Sequence, residues 1–209
     1  MIIDLHVHTN ALSPCSNLDP EEAVREAKRI GLDGICFTEH NKLWKPEDLE
    51  RLSKKWDFPV FCGMEVETRE GHILVFGLKN NQAGILAASD LRKTVDGAGG
   101  VMISAHPFRG FLLFGFADLQ MTLQSACTRP VFQVVDALET YSGKSTKKEN
   151  ELALAVGQKI PLKGAGGSDA HSLEELGRCV TIFEHQITNQ AELINELKNG
   201  SYRAGYFRR

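Results

Sequence analysis

The sequence predicts an α/β protein in which helices cover a mainly parallel β-sheet. Strand-like apolar segments alternate with helix-like segments from one end of the chain to the other, which is the pattern of repeated β–α units. The strand segments are nearly continuous apolar runs, such as GICFTEH at 34–40, as expected for strands that are buried on both faces. An open doubly wound sheet and a closed barrel both satisfy this pattern, and both place ligand chemistry at the carboxyl ends of the strands.

Each element has a local signal of its own. Apolar side chains alternate along residues 2–8, which predicts a strand. Asp19 is a helix N-cap and Pro20 suits the first turn, so a helix begins there and continues to about residue 30. In chain order, the remaining strands are predicted at 34–40, 59–66, 72–78, 101–105, 134–139, 160–165 and 179–183, and the remaining helices at 46–56, 86–97, 117–127, 145–158 and between a cap at Thr188 or Asn189 and Gly200.

Composition limits the class of protein and its partners. The 209 residues suffice for one substantial core and are too few for two full domains. Lys plus Arg number 24 and Asp plus Glu number 27, so the net charge of −3 gives no electrostatic sign of a nucleic-acid partner. The tail SYRAGYFRR is predicted to be solvated. No apolar stretch approaches the roughly 20 residues of a membrane helix, so no membrane contact is predicted.

The start of the chain shows no secretory signal, because it runs directly into a strand. The five cysteines are widely spaced, odd in number and without a CxxC pair, which is typical of reduced thiols. We therefore expect a cytoplasmic protein.

Histidines and acidic residues gather where the strands end. A single HxH on a strand is weak evidence for function, and one histidine at a strand end is often a satisfied core residue. A whole set is much harder to explain structurally, because burying so many polar groups without a shared partner costs a few kcal/mol each. The set consists of His6, His8, His40, Glu65, His106, Asp169 and His171.

Strand geometry indicates which of these groups act together. Residues i and i+2 of a strand point to the same face, so His6 and His8 can hold one cation. Asp4 shares that face one step deeper, where it could fix the tautomer of a ligand imidazole. Asp169 and His171 repeat the same spacing. Imidazole and carboxylate donors without a thiolate cluster suit Zn, Mn or Fe better than Ca or Mg.

The ordered motifs DLHVHT, FTEH, GMEVE, GHILVFG, SAHP and GGSDAH resemble the PHP (polymerase and histidinol phosphatase) family of metal-dependent phosphoesterases. The resemblance extends from Asp4 to about Phe183. It implies an α/β fold with a distorted TIM-like (β/α)7 barrel, formed as a single domain by residues 1–209. It also implies two or three divalent metal ions at the strand ends.

The resemblance further implies a ligand set. His6, His8, Glu65 and Asp169 would hold one ion. Glu65 would bridge to a second ion bound by His72 and His106, and His40 and His171 would hold the third.

Cys15 lies where the chain departs from the commoner pattern of the family. Many relatives have Asp or His shortly after HxH, whereas this chain reads ALSPCSNLDP. A Cys15 thiolate could ligate a soft or borderline ion, and a small loop residue is the equally open alternative. The amidohydrolase superfamily also begins with HxH, but it usually needs a bridging Lys and a lone late Asp. The presence of Glu65 and a late Asp-x-His favours the PHP family.

The resemblance implies hydrolysis of a phosphate ester by a metal-activated water. The leading hypothesis is that the substrate is a small phosphomonoester, either a metabolite or a nucleotide. Arg109 is the first predicted phosphate-binding cation and Arg178 the second. His40, His171 or a metal-bound water is predicted to protonate the leaving group. The alternatives are a phosphodiesterase or nuclease that trims oligonucleotides, which the net charge does not favour, and a metal-binding regulatory module without turnover. The Phe-rich segment 108–119 suits a lid, a base-stacking wall, a dimer surface or ordinary core packing. The oligomeric state is not predicted.

Overall fold

The computed structural model describes residues 1–110 and 122–208, and its strands form one nine-stranded sheet. The strands are β1 (Ile2–Val7), β2 (Gly34–His40), β3 (Val60–Thr68), β4 (Gly71–Phe76), β5 (Val101–Ser104), β6 (Ala137–Ser142), β7 (Lys163–Gly167), β8 (Cys179–Phe183) and β9 (Tyr202–Tyr206). The helices are α1 (Pro20–Arg29), α2 (Pro46–Trp56), α3 (Ala88–Gly97), α4 (Leu123–Cys127), α5 (Lys147–Lys159) and α6 (Gln190–Asn199). A 3-10 helix spans Pro130–Gln133.

Strand order in the sheet is β7-β6-β5-β4-β3-β2-β1-β8-β9. The pairs β1–β2, β2–β3, β5–β6 and β6–β7 are parallel, as the β–α alternation predicts. In contrast, β4 runs antiparallel to both of its neighbours, and β8 runs antiparallel to β1 and β9. The sheet is therefore mixed, because a short turn joins β3 to β4 where a helix would be needed for a parallel partner.

The end of β7 returns to β1 and nearly closes the sheet into a barrel. Val7 and Ala170 form an isolated parallel bridge, and the His8 backbone N–H donates to the Ala170 carbonyl at 3.0 Å. The approach is close enough to require glycine: a Cβ on Gly167 would lie 2.4 Å from the Cβ of His6. This closure confirms the predicted distorted TIM-like barrel.

Buried apolar side chains from strands across the whole sheet pack together in one cluster, as expected inside a barrel. This cluster includes Leu5, Leu74, Ile103, Ala165 and, from α6, Leu193 and Leu197. Other apolar clusters lie under the helices, where Ala23 and Val24 of α1 pack with Ile35 and Phe37 of β2.

Several predicted elements differ from the structure. The C-terminal tail, predicted to be solvated, contains β9, whose residues pair with β8. The strands predicted at 134–139 and 160–165 begin about three residues later, since the 3-10 helix and the end of α5 occupy the earlier positions. The helix predicted at 117–127 is described only at its end, as α4.

In the Phe-rich segment, Phe108 is buried in the core, and 111–119 lies outside the described residues. None of the described helices has the length and apolar character needed to cross a lipid bilayer.

Candidate metal centre

The predicted ligands converge at one edge of the barrel, where the parallel strands end. His6 and His8 lie at the end of β1 and are fully buried. His40 is the last residue of β2 and pairs with Glu65 of β3. His72 is the second residue of β4 and reaches the same edge because β4 runs antiparallel to β3. The antiparallel direction therefore explains how a histidine at a strand start lies beside histidines at strand ends.

Loops after β5 and β7 supply the remaining donors. His106 and Asp169 both have positive backbone φ angles, of 26° and 55°. Side chains other than glycine rarely adopt this conformation, and it concentrates at functional sites, where the surrounding structure holds it in place. In both residues the strained backbone lies two positions after the end of a strand, and the side chain belongs to the cluster.

Glu65 lies at the centre of the cluster, with each carboxylate oxygen facing a different set of imidazoles. Oε1 lies 2.9 Å from His72 Nδ1 and 2.9 Å from His106 Nε2. Oε2 lies 3.1 Å from His40 Nδ1 and 3.2 Å from His8 Nε2. A carboxylate with this arrangement suits a bridge between two cations.

Three groups of donor atoms in the described chain are close enough together to surround single ions. They are His6, His8 and Asp169; His6, Glu65 and His106; and His8, His40 and His171. All members were predicted from the sequence, whereas the predicted ligands His72 and Cys15 belong to none of these groups. Cys15 is exposed. The ligand role of Cys15 therefore stays a prediction.

The contact between His6 and His8 tests whether the cluster fits a cation. Their Nε2 atoms lie 3.0 Å apart, and Nδ1 of His6 faces the Glu139 carboxylate at 2.9 Å. Because a carboxylate only accepts, His6 Nδ1 carries a proton, and in the neutral imidazole Nε2 carries a lone pair. That lone pair faces Asp169 Oδ1 at 3.5 Å. Acceptor atoms that converge in a buried site require a positive charge among them, which metal ions supply.

The pKa of His6 also indicates that a positive charge is favoured among the carboxylates of the cluster. Burial alone would lower the pKa of His6, but the charges of Glu139, Asp169 and Glu65 outweigh it and raise the pKa well above its usual range. Burial would likewise raise the pKa of Glu65, yet His6 and hydrogen bonds from the surrounding imidazoles hold it well below its usual range. The carboxylates of the cluster are therefore ionised and available to a cation.

Glu139, which the sequence analysis missed, supports two of the donors. Its Oε1 accepts from His6 Nδ1 at 2.9 Å, and its Oε2 accepts from the His106 backbone N–H at 2.7 Å. A carboxylate at the end of the strand predicted at 134–139 was the sequence signal that could have revealed it.

Ser13 and Glu39 form a corresponding support beside His8. Ser13 Oγ donates to Glu39 Oε2 and lies 3.5 Å from His8 Nδ1. Trp44 Nε1 also donates to Glu39, at 2.9 Å. The Glu39 carboxylate thus holds Ser13 and Trp44 in place and makes no contact with the His8 ring among the described hydrogen bonds.

Asp4 has a different role from the predicted one. Its carboxylate accepts backbone N–H groups from His6, Ser168 and Gly177 at 2.9–3.2 Å. Burial raises the pKa of Asp4 to about 6. Asp4 therefore connects β1 to the loops after β7, and Glu139 takes the contact with the imidazole that was predicted for Asp4.

A cavity of about 370 Å3 opens over the cluster, and its lining residues include Arg109 and Lys144. Arg109 Nη2 lies 3.0 Å from His106 Nε2, and its Nη1 donates to Asp169. Arg178 is not among the described lining residues, and its backbone pairs with Glu175 and Phe207. Lys144, which was not singled out in the sequence, lies 2.9 Å from His171 Nδ1.

Comparisons with solved structures give the fold of the barrel. A Bifidobacterium adolescentis protein named as a candidate metal-dependent phosphoesterase superposes with a TM-score of 0.61 at 16% identity, covering 93% of this chain and 96% of that one. A Chromobacterium violaceum amidohydrolase with bound sulfate gives a TM-score of 0.60 at 16% identity, covering 81% and 87%. The lesion-specific endonuclease EndoQ of Pyrococcus furiosus gives 0.66 at 17% identity, covering 97% of this chain and 57% of that one.

Sequence comparisons give the family. An uncharacterized protein of Methanocaldococcus jannaschii is 26% identical over 117 residues, which cover 52% of this chain and 68% of that protein. A model described as PHP-associated matches residues 147–202. The model of the PHP domain matches residues 4–156, which include most of the converging donors described above. The chain therefore belongs to the PHP domain family.

Proposed function

We propose that this protein is a metal-dependent phosphoesterase that hydrolyses a small phosphomonoester. The observation that carries the proposal is the position of Glu65, whose two oxygens face separate sets of imidazole nitrogens at 2.9–3.2 Å. Membership of the PHP family and the fold shared with a candidate phosphoesterase support metal-dependent phosphoester hydrolysis generally. The choice of a monoester is the finer part of the proposal.

Two or three divalent ions, Zn, Mn or Fe, would be held by the donors at the barrel edge. His6, His8, Asp169 and Glu65 would hold the first ion, and Glu65 would share the second with His72 and His106. His40 and His171 would hold the third, with Cys15 as a further predicted ligand. When bound, such ions neutralise phosphate oxygens and lower the pKa of a water that can attack phosphorus.

The side chains around the cavity would position the substrate. Arg109 presents a planar fork that matches two phosphate oxygens, and its guanidinium already lies beside Asp169 and His106. Burial lowers the pKa of His40 to about 4 and lowers that of His171. Both rings are therefore neutral at neutral pH, which suits metal coordination. Protonation of the leaving group by either ring stays a prediction, as does a phosphate contact of Arg178.

A nuclease or phosphodiesterase is the second candidate, since the chain shares its fold with a protein described as a lesion-specific endonuclease. The net charge of −3 favours a small substrate over a polyanion, because nucleic-acid binding depends largely on clustered cations. A regulatory module without turnover is the third candidate and predicts metal binding without hydrolysis.

Metal analysis combined with a substrate panel tests the proposal. The protein would be stripped with EDTA, reconstituted separately with Mn, Zn and Fe, and assayed on phosphomonoesters, phosphodiesters and short oligonucleotides. We expect at least two bound ions and EDTA-sensitive hydrolysis that is fastest on monoesters. Fewer than two ions, or no EDTA-sensitive hydrolysis of any substrate, contradicts the enzyme assignment, and faster cleavage of oligonucleotides supports the nuclease.

A pair of histidine variants tests the ligand positions. His8→Ala should remove metal and activity while the circular dichroism spectrum stays that of a folded protein. The matched control is His185→Ala, because His185 is exposed and pairs only with Glu196 among its described ion-pair partners. Full activity in the His8→Ala variant would show that the ligand set is wrong.

A further inference from the structure

Lys144 lies in the loop between β6 and α5, at the edge of the barrel where the ligands converge. Its side chain is about one quarter exposed (28%), and its Nζ lies 2.9 Å from His171 Nδ1 and 3.4 Å from Glu175 Oε2. Only Lys144 and Arg109 contribute positive side chains to the described lining of the cavity over the cluster. The lysine is therefore placed where an anionic substrate would enter.

Lys144 and His171 each have another polar partner, so neither side chain depends on the contact between them. His171 Nδ1 also lies 2.9 Å from the carbonyl oxygen of Asp169, which can only accept a hydrogen bond. If Nδ1 donates to that carbonyl, as metal-ligating imidazoles commonly do, then Nδ1 cannot also accept from Lys144. The Lys144 ammonium, with three protons to donate, then has Glu175 as its charged partner and donors left for a ligand.

The backbone around Lys144 is held firmly against β7. The Gly143 N–H donates to the Gly167 carbonyl at 3.0 Å. A Cβ on Gly143 would lie 2.5 Å from the Ser168 carbonyl oxygen, so this approach requires glycine. The lysine thus extends from a fixed point beside the metal centre.

One buried carboxylate fixes the loops of the two cations relative to each other. Glu149 Oε1 accepts from the Gly110 N–H at 2.8 Å, next to Arg109. Its Oε2 accepts from the Thr146 N–H at 2.7 Å, two residues after Lys144. Glu149 therefore connects the loop that carries Arg109 to the loop that carries Lys144.

We infer that Lys144 and Arg109 together bind a terminal phosphate, and that Lys144 selects phosphomonoesters over phosphodiesters. A monoester carries close to two negative charges at neutral pH and has three terminal oxygens, whereas a diester carries one charge and has two such oxygens. The Arg109 fork matches two oxygens, and Lys144 supplies a point charge for the third. The inference rests on the proposed phosphoesterase function and assigns its choice of substrate to a particular residue.

Two substrates with the same leaving group test this selectivity, namely p-nitrophenyl phosphate and bis(p-nitrophenyl) phosphate. Loss of one charge-assisted hydrogen bond in Lys144→Met should lower kcat/KM for the monoester about 10- to 100-fold and leave the diester within about 3-fold. Lys144→Arg should recover part of the loss, because the charge is kept. The matched control is Lys147→Met, since Lys147 lies nearby at the start of α5 with a largely exposed side chain.

Metal content and phosphate binding separate this inference from the proposed function. Lys144→Met should retain the metal content of the wild type and should weaken binding of inorganic phosphate, measured by calorimetry, about tenfold. Equal losses on both esters, unchanged kinetics or loss of metal from Lys144→Met would overturn the role of Lys144. If the metal-loaded wild type hydrolyses neither ester, the proposed function fails, and phosphate binding to the wild type and to Lys144→Met still decides whether Lys144 binds phosphate.

Discussion

Glu139 accepts hydrogen bonds from the imidazole of His6 and from the backbone N–H of His106, so both of its oxygens are in use. Glutamine has one acceptor oxygen, and its NH2 group must face one of these donors. In Glu139→Gln we therefore expect His6 to lose the contact that fixes its tautomer, with metal affinity lower by about 10- to 100-fold. Competition with a chromophoric chelator measures this affinity.

The control for this substitution is Glu151→Gln, at an exposed position of α5 where Glu151 pairs with Lys147. It removes the same charge from the molecule without contacting the cluster. Equal metal affinities of Glu139→Gln and Glu151→Gln would show that Glu139 does not orient His6.

The pKa of His40 predicts a pH dependence of stability in the metal-free protein. Burial lowers this pKa from 6.5 to about 4, although the Glu65 carboxylate lies only 3.1 Å from Nδ1. Between these values the unfolded chain binds more protons at this position than the folded one, so the free energy of unfolding falls as pH falls. In His40→Gln that contribution is absent, and urea unfolding of EDTA-treated proteins should show a weaker decline across this interval. If the free energy of unfolding declines equally with pH in the wild type and in His40→Gln, the lowered pKa of His40 is not the cause of the decline.

At the scale of elements, the glycines of β7 decide whether the barrel can close. A Cβ on Gly167 would meet both the Cβ and the backbone nitrogen of His6, which belong to a buried strand that cannot shift freely. We expect Gly167→Ala to lower the free energy of unfolding by about 1–3 kcal/mol, as overpacking does in tight cores. Urea denaturation measures the change.

The matched control is Gly205→Ala in β9, because nothing lies within 4 Å of a Cβ built at Gly205. Its effect should stay within about 0.5 kcal/mol. Similar stabilities of Gly167→Ala and Gly205→Ala would mean that β7 does not approach β1 as closely as the structure has it.

Helices and strands were predictable from the sequence wherever a local sequence pattern determines them. Asp19 caps α1, and the apolar run of β2 is buried almost throughout. In contrast, β9 has the sequence YRAGY, whose residues are mostly half-exposed, and it exists because β8 offers a free edge. The direction of β4 depends likewise on its pairing with β3 and β5, which is a tertiary property.

The site was predictable to a different degree. The candidate metal ligands are mostly histidines and carboxylates at strand ends, so their positions in the sequence were enough to predict them. The roles of Glu139 and Lys144 depend on contacts with residues that are distant in the sequence. The contact between His6 and Glu139, for example, spans 133 residues. Only the folded chain brings such pairs together.

At the scale of the whole molecule, metal removal should lower stability. Ions that bind the folded cluster and not the unfolded chain stabilise the fold by about 2.7 kcal/mol at a free concentration of 100 times Kd. We expect EDTA to lower the midpoint of thermal unfolding and Mn or Zn to restore it. His8→Ala should show no such response, and an equal response in that variant would place the stabilising metal elsewhere.

The choice between an open sheet and a barrel also belongs to this scale. Both architectures have the same alternation of strands and helices in the sequence. In both, the ligand-binding residues lie at the carboxyl ends of the strands. Closure depends on contacts such as the hydrogen bond from Ser168 to Asp4, which joins residues 164 positions apart. No local pattern records such a contact, and the family motifs were needed to predict the barrel.

The hairpin of β3 and β4 has a consequence for how the protein folds. Glu65 and His72 are only seven residues apart in the chain, whereas Glu139 and Asp169, which also face His6, come from the opposite half of the chain. Contacts between near residues form fast and those between distant residues form late, because the entropic cost of loop closure must be met first. Glu65 and His72 should therefore come together early, as a weak cation site on a partly folded chain. Tight binding should appear only when β7 docks on β1, so metal uptake during refolding would report the last step of the reaction.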